Sequence, residues 1–138
     1  FRQLEHGQHE AGGILLGRVY NKEIIVERIT TPGPEDKSGR YFFDRNVNRA
    51  QRFVDLAWKN SNGEMIYLGE WHTHPEAVPT PSLVDRRLIA NMLRDTKMSI
   101  NYLFLVIVGT EDNYVAVQFN GKNNQLIKLE KRKSDTLV

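Results

Sequence analysis

Two kinds of hydrophobic spacing divide the chain into strand-like and helix-like segments. Segments rich in β-branched and aromatic residues, bounded by glycine, asparagine or proline, predict strands at residues 12–20, 23–29, 40–43, 65–71, 102–108, 113–119 and 125–129. The first two are expected to form a hairpin through residues 19–22. Residues 102–108 are continuously apolar, which predicts a central strand buried on both faces.

Apolar residues at helical spacing predict two helices. The first covers residues 45–59 with Asp44 as its N-cap, and Gly63 is available for a left-handed turn behind it. The second begins at Ser82 and runs to about Arg94. Proline and glycine predict loops at residues 31–39 and 75–81. The pattern favours an α/β (α+β) fold: a curved, mainly antiparallel mixed sheet with two main helices packed on it.

Composition narrows the class of protein. The 138 residues fit a single domain, 1–138, with 40% hydrophobic and 26% charged residues. The absence of cysteine excludes disulfides, thiol catalysis and cysteine-based zinc sites, and agrees with a cytoplasmic protein. No 18-residue apolar run or signal-peptide pattern is present, so no membrane partner is expected.

The charge pattern does not favour nucleic-acid binding. The net charge is only +2, and the single dense basic run, residues 128–133, is interrupted by Glu130. A nucleic-acid partner would need a broader basic face with aromatic residues among the charges. We interpret the run as a solvated C-terminal tail.

Candidate chemistry lies between residues 72 and 85. His72 and His74 are two apart in an extended segment, so their imidazoles point to the same side. Asp85, one turn into the second helix, can add a carboxylate, and two histidines plus one carboxylate leave a fourth position for water, as in catalytic zinc sites. Alternatively, the histidines are surface or core residues, and Ser82-x-x-Asp85 is a helix cap. Capping and metal binding are compatible.

The complete pattern, His72-x-His74-Pro75-x6-Ser82-x2-Asp85 with Glu10 before the Gly12-Gly13 strand, resembles the JAMM metalloproteases, also called the MPN+ or JAB family. The resemblance extends from residue 10 to about 108. It implies the MPN/JAB (cytidine-deaminase-like) architecture, one Zn²⁺ per chain, and cleavage of isopeptide or peptide bonds.

The resemblance also implies roles for individual residues. His72, His74 and Asp85 would bind zinc, Glu10 would be the general base and Ser82 would donate to the oxyanion. Otherwise, Glu10 would be an exposed carboxylate at a strand end.

Neighbouring polar and aromatic residues receive other roles. Glu76 suits substrate contact better than catalysis, because it lies in the proline-rich loop. Trp71 and Thr73 are expected to be structural, and His6 and His9 are expected to lie behind the metal ligands or at the surface.

The short spans around the pattern resemble the prokaryotic branch of the family. The string at residues 67–76, followed by Pro79-x-Pro81-Ser82, resembles the JAMM deconjugases of bacterial CBASS anti-phage operons. These release a nucleotidyltransferase from its conjugate, so the expected partner is a protein with an extended C-terminal tail, bound as an added strand.

The sequence leaves three alternatives to deconjugation. One is a processing protease for a ubiquitin-like or sulfur-carrier tail, and another is a non-catalytic scaffold of the same fold. A zinc deaminase is disfavoured because it needs a cysteine pair.

Overall fold

The computed structural model describes residues 1–121 and 125–132. Its elements, in chain order, are β1 (Gly12–Val19), β2 (Ile24–Ile29), β3 (Lys37–Gly39), β4 (Phe42–Asp44), α1 (Val47–Asn60), β5 (Ile66–Thr73), α2 (Leu83–Asp95), β6 (Tyr102–Val108), β7 (Asn113–Phe119) and β8 (Ile127–Lys128). None of the helices in these described residues is long and apolar enough to cross a membrane.

Six strands form one sheet in the order β2-β1-β5-β6-β7-β8. All neighbours pair antiparallel except β5 and β6, which are parallel because α2 forms the crossover between them. The mainly antiparallel, mixed sheet with two helices is therefore confirmed. Strands β3 and β4 pair with each other as a separate hairpin.

Both helices pack on one face of the sheet, which we call the helix face. The main core joins strand residues of this face with helix residues, among them Ile14, Leu16, Ala50, Tyr67, Ile89, Leu93, Leu105 and Ile107. A second apolar cluster lies on the opposite face and includes Leu15, Leu68 and Trp71. The main core therefore packs both helices against the same face of the sheet.

The predicted cap of the first helix is wrong. Asp44 ends β4, and the N-cap is Asn46, whose side chain accepts a hydrogen bond from the Arg49 backbone N–H at 2.8 Å. Asparagine and aspartate are about equally good caps, so pairing of β4 with β3 decides between them. The left-handed turn at Gly63 is confirmed, with φ of +82°.

Some strand predictions also need correction. The predicted loop 31–39 ends in β3, and the predicted strand 40–43 begins only at Phe42. Strand β6 is not buried on both faces, since its side chains alternate between buried and half-buried. The last strand is limited to Ile127–Lys128, residues 129–132 behind it are exposed, and Lys133 lies outside the described residues.

Candidate metal centre

An irregularity in β5 decides which way the two histidines point. Leu15 of β1 pairs with Gly69 and Leu16 with Tyr67, so Leu68 is an extra residue in β5. This β-bulge shifts the alternation of side chains: Tyr67 faces the helices, and so does His72, five residues later. A regular strand would turn His72 away from α2. The bulge therefore aims the histidines at the helix that carries Asp85.

His72, His74 and Asp85 converge at the end of β5. The Nε2 atoms of the two histidines are 3.2 Å apart. His72 Nε2 lies 2.9 Å from Asp85 Oδ1, and His74 Nε2 lies 3.2 Å from Asp85 Oδ2. All three residues are buried. The structure thus brings together the three residues that the sequence pattern pairs.

The donor set fits a tetrahedral zinc ion. One ring nitrogen of each histidine and one Asp85 carboxylate oxygen lie within 4.8 Å of one another, so a single ion with bonds of about 2 Å can contact all three. Two neutral imidazoles and one carboxylate are ordinary zinc ligands, and three protein ligands leave one position open. The residues present therefore fit the metal that the sequence pattern implies.

Asp85 both contacts the two histidines and caps the start of α2. Its Oδ2 accepts the Ser82 backbone N–H at 2.7 Å, and the Ser82 hydroxyl accepts the Asp85 backbone N–H at 3.1 Å. This reciprocal capping box stabilises the start of α2. Burial would raise the pKa of Asp85, but hydrogen bonds from His72 and His74 outweigh it and hold the pKa below its usual range. The carboxylate is therefore ionised and fixed in place.

Glu76 contacts His74, one of the candidate metal ligands. Its Oε1 lies 2.8 Å from His74 Nδ1. Burial lowers the pKa of His74, but hydrogen bonds to Asp85 and Glu76 raise it overall. A carboxylate that accepts the Nδ1–H proton leaves Nε2 free for a metal, which is a common arrangement behind metal-bound histidines.

Glu10 is a buried carboxylate beside the centre. Only 6% of the residue is exposed, so the interpretation as an exposed strand-end carboxylate does not hold. Burial raises its pKa to about 7; the charge of His74 lowers it, and those of Asp85 and Glu76 raise it. The Glu10 carboxyl therefore exchanges its proton near neutral pH.

The geometry agrees with a known family. A model of the prokaryotic homologs of the JAB domain matches residues 2–120. This chain belongs to the prokaryotic JAB-domain family. The JAB domain is 32% identical to a CD-NTase/cGAS isopeptidase of Escherichia coli (strain TW11681) and 36% identical to one of Vibrio cholerae serotype O1. Each match spans 132 residues, 96% of this chain and 80% of the relative.

A solved structure supports the fold. A solution structure of a protein from Desulfitobacterium hafniense aligns with a TM-score of 0.55 and 22% identity. The alignment covers 88% of this chain and 75% of that one. At this identity the likeness concerns the fold alone.

Other polar residues of the JAB domain behave as expected. Trp71 is in the core and donates its indole N–H to the Thr30 carbonyl at 2.8 Å. Thr73 is fully buried and hydrogen-bonded through its hydroxyl. His9 is exposed and contacts the Ser38 hydroxyl at 3.1 Å, and exposed His6 lies next to Arg40. Neither histidine belongs to the cluster.

Sequence reasoning missed a buried ion pair behind the histidines. Glu70 faces the helices like His72 and contacts Arg45 at 2.5 Å between Oε1 and Nε. It also accepts a hydrogen bond from Tyr67. Burial raises the pKa of Glu70 even though Arg45 lowers it. A single charged residue within the apolar segment at 65–71 was the available clue, because a charge is seldom buried without a partner.

Proposed function

We propose that this JAB domain is a zinc-dependent isopeptidase that releases a CD-NTase-like protein from its conjugate, as part of CBASS anti-phage defence. The proposal rests mainly on the convergence of His72, His74 and Asp85 beside the buried carboxylate of Glu10. Two relatives that match nearly the whole chain carry the name CD-NTase/cGAS isopeptidase. His72, His74 and Asp85 would hold one zinc ion per chain.

The residues around the metal divide the work of amide hydrolysis. When bound, zinc would act as a Lewis acid that polarises the carbonyl and lowers the pKa of a water molecule. Glu10 accepts the proton of that water and passes it to the leaving amine. In the metal-free protein burial raises the pKa of Glu10 to about 7, and the positive charge of a bound zinc ion would lower that pKa, which favours the carboxylate form that accepts a proton.

Ser82 can donate its hydroxyl hydrogen to the substrate. Its oxygen accepts the Asp85 N–H, which fixes the side chain, and the residue is exposed. The hydroxyl hydrogen can therefore donate to the carbonyl oxygen as negative charge develops there. Such a donor contributes about 2–4 kcal/mol to lowering the barrier.

We further propose that the substrate tail adds as an extended strand beside the β3–β4 hairpin. The hairpin is joined to the site because the Glu10 N–H donates to the Gly39 carbonyl at 2.6 Å. Tyr41 and Phe42 at its turn are exposed and available for contact. A substrate complex with a helical tail would contradict this mode of binding.

A synthetic conjugate tests the activity. The C-terminal residue of a CD-NTase is joined to the lysine of a peptide and incubated with the zinc-loaded domain. We expect mass spectrometry to find a cut after that residue, its loss with chelator and its return with zinc. We expect Glu10→Gln to lower turnover at least 100-fold with zinc still bound, whereas exposed Glu5→Gln leaves turnover unchanged.

A parallel substrate separates the alternatives. Fusions that end in a ubiquitin-like or sulfur-carrier tail are incubated in the same way. Faster cutting of these fusions than of the CD-NTase conjugate would favour a processing protease. Cleavage of the conjugate that persists in chelator would refute the metal mechanism.

A further inference from the structure

Gln3 is a buried amide outside the metal centre, and its contacts lead to the residues on both sides of Glu10. Only 4% of the residue is exposed. Its Nε2 donates to the Gln8 and Arg40 carbonyls, each at 2.9 Å, and its Oε1 accepts the Thr73 hydroxyl at 2.9 Å. The reverse orientation of the amide would set an oxygen against two carbonyls, so the partners determine the orientation.

Thr73 continues the network from the other side. This residue lies between the two histidines of the centre and is fully buried. Its hydroxyl accepts the Ala11 backbone N–H at 2.9 Å, and its own N–H donates to the Ala11 carbonyl at 2.9 Å. The end of β5 is thus hydrogen-bonded directly to Ala11, the residue that follows Glu10.

The contacts hold the backbone of Glu10 from three directions. Gln3 fixes the Gln8 carbonyl before it, Thr73 fixes Ala11 after it, and the Glu10 N–H donates to the Gly39 carbonyl at 2.6 Å. Gln3 also fixes the Arg40 carbonyl in the hairpin that carries Gly39. One amide therefore joins the N-terminal segment, the β3–β4 hairpin and the histidine strand.

We propose that Gln3 and Thr73 are positioning residues that set Glu10 against the metal centre. The inference rests on the proposed role of Glu10 as the base. A base acts only within hydrogen-bond reach of the proton it takes, and a misplacement of about 1 Å can cost 100-fold in rate. Glu10 lies before the start of β1, so these hydrogen bonds, rather than strand pairing, hold its backbone in place.

Steady-state kinetics on the zinc-loaded protein tests the inference. We expect Gln3→Ala to lower kcat about 10- to 100-fold, with KM and the zinc dissociation constant within about 2-fold of wild type. Thr73→Val, which keeps the shape and loses the hydroxyl, should lower kcat similarly, and Thr73→Ser should restore it. The control is Gln51→Ala, which removes an exposed hydrogen bond to Asp55 on α1.

Hydrogen exchange of the amides of Glu10 and Ala11 gives a readout that needs no activity. We expect Gln3→Ala and Thr73→Val to exchange them at least 10-fold faster, with β6 and β7 unchanged. Wild-type kcat in both variants, or wild-type protection of these amides, would overturn the inference. If the wild type cut no conjugate, the proposed function would fail, and the exchange data alone would decide the positioning role.

Discussion

At the scale of single residues, burial of the Glu10 carboxyl lowers the stability of the fold when the group ionises and raises its pKa. A carboxyl that is 6% exposed loses hydration when it ionises, and the nearby carboxylates of Asp85 and Glu76 oppose its charge. The same burial keeps the group in one place and moves its pKa to about 7. A residue chosen for stability alone would be neutral here.

The raised pKa of Glu10 predicts a pH-dependent gain from its removal. In metal-free protein, the folded state keeps this proton up to about pH 7, whereas the unfolded chain releases it near 4.5. Stability from Glu10 is therefore present at low pH and lost as pH rises through 7. We expect Glu10→Gln to exceed wild type in free energy of unfolding by at most about 3 kcal/mol more at pH 8 than at pH 4.5.

Urea denaturation in chelator at several pH values between 4.5 and 8 measures this difference. Glu5→Gln, an exposed carboxyl in the same segment, serves as the control. A difference between Glu10→Gln and wild type that stays constant with pH would show that Glu10 ionises with its ordinary pKa.

The contact between Glu76 and His74 predicts an effect on metal affinity. Glu76→Ala removes the acceptor of the Nδ1 proton, so the ring loses its fixed orientation and tautomer. We expect zinc affinity to fall about 10- to 100-fold in competition with a chromophoric chelator. Glu111→Ala, an exposed carboxylate near the same loop, should bind zinc like wild type. Unchanged affinity in Glu76→Ala would leave Glu76 without a role at the metal.

At the scale of elements, the bulge in β5 depends on a residue without a side chain. Gly69 has φ of +153°, and a Cβ atom there would lie 1.9 Å from the Phe104 carbonyl oxygen of β6. Gly69 directly follows Leu68, the extra residue of the bulge that turns the histidines toward α2. Glycine is therefore required here by the backbone angle and by the close approach of β6.

We expect Gly69→Ala to lower the free energy of unfolding by at least about 2 kcal/mol and to weaken zinc binding as well. Urea denaturation and chelator competition measure the two effects. Gly121→Ala is the control, because among the described residues an added Cβ there meets nothing within 4 Å. Wild-type stability in Gly69→Ala would mean that β5 forms without the bulge.

Most elements could be predicted from the sequence, because their patterns are local. The cap at Ser82 with Asp85 and the turn at Gly63 depend on a few neighbouring residues. The errors have two causes. Strand β3 has only three residues and exists through its pairing with β4, and the exposure of β6 depends on which sheet face the helices cover. An isolated glycine within a strand pattern was the available clue to the bulge.

At the scale of the whole molecule, the residues of the candidate metal centre come from both the sheet and a helix. His72 and His74 belong to β5 and the loop behind it, whereas Asp85 belongs to α2. A ligand that binds only the folded arrangement stabilises it by mass action. Bound zinc should therefore add to the packing and to the direct contacts between Asp85 and the two histidines that already join these elements.

We expect zinc at 100 times its dissociation constant to stabilise the fold by about 2.7 kcal/mol against unfolding. Thermal denaturation with and without zinc measures the change. His74→Ala should abolish the shift, whereas His6→Ala, at an exposed position, should retain it. A full zinc shift in His74→Ala would remove His74 from the ligand set.

The residues of the candidate centre were easier to predict from the sequence than the contacts that hold them in place. The spacing of His72, His74, Ser82 and Asp85 is short, and the family pattern adds Glu10. The supporting contacts join residues far apart in the chain, such as Gln3 with Thr73 and Arg45 with Glu70. No local pattern specifies these pairs, because they arise only when the sheet and hairpin are assembled.

The capping box at Asp85 also constrains how this fold can change during evolution. A substitution of Asp85 that removed the candidate metal ligand would also weaken the first turn of α2. Descendants that have given up hydrolysis should therefore favour asparagine over alanine at this site. Loss of chemistry and retention of architecture would then leave a recognisable trace in their sequences.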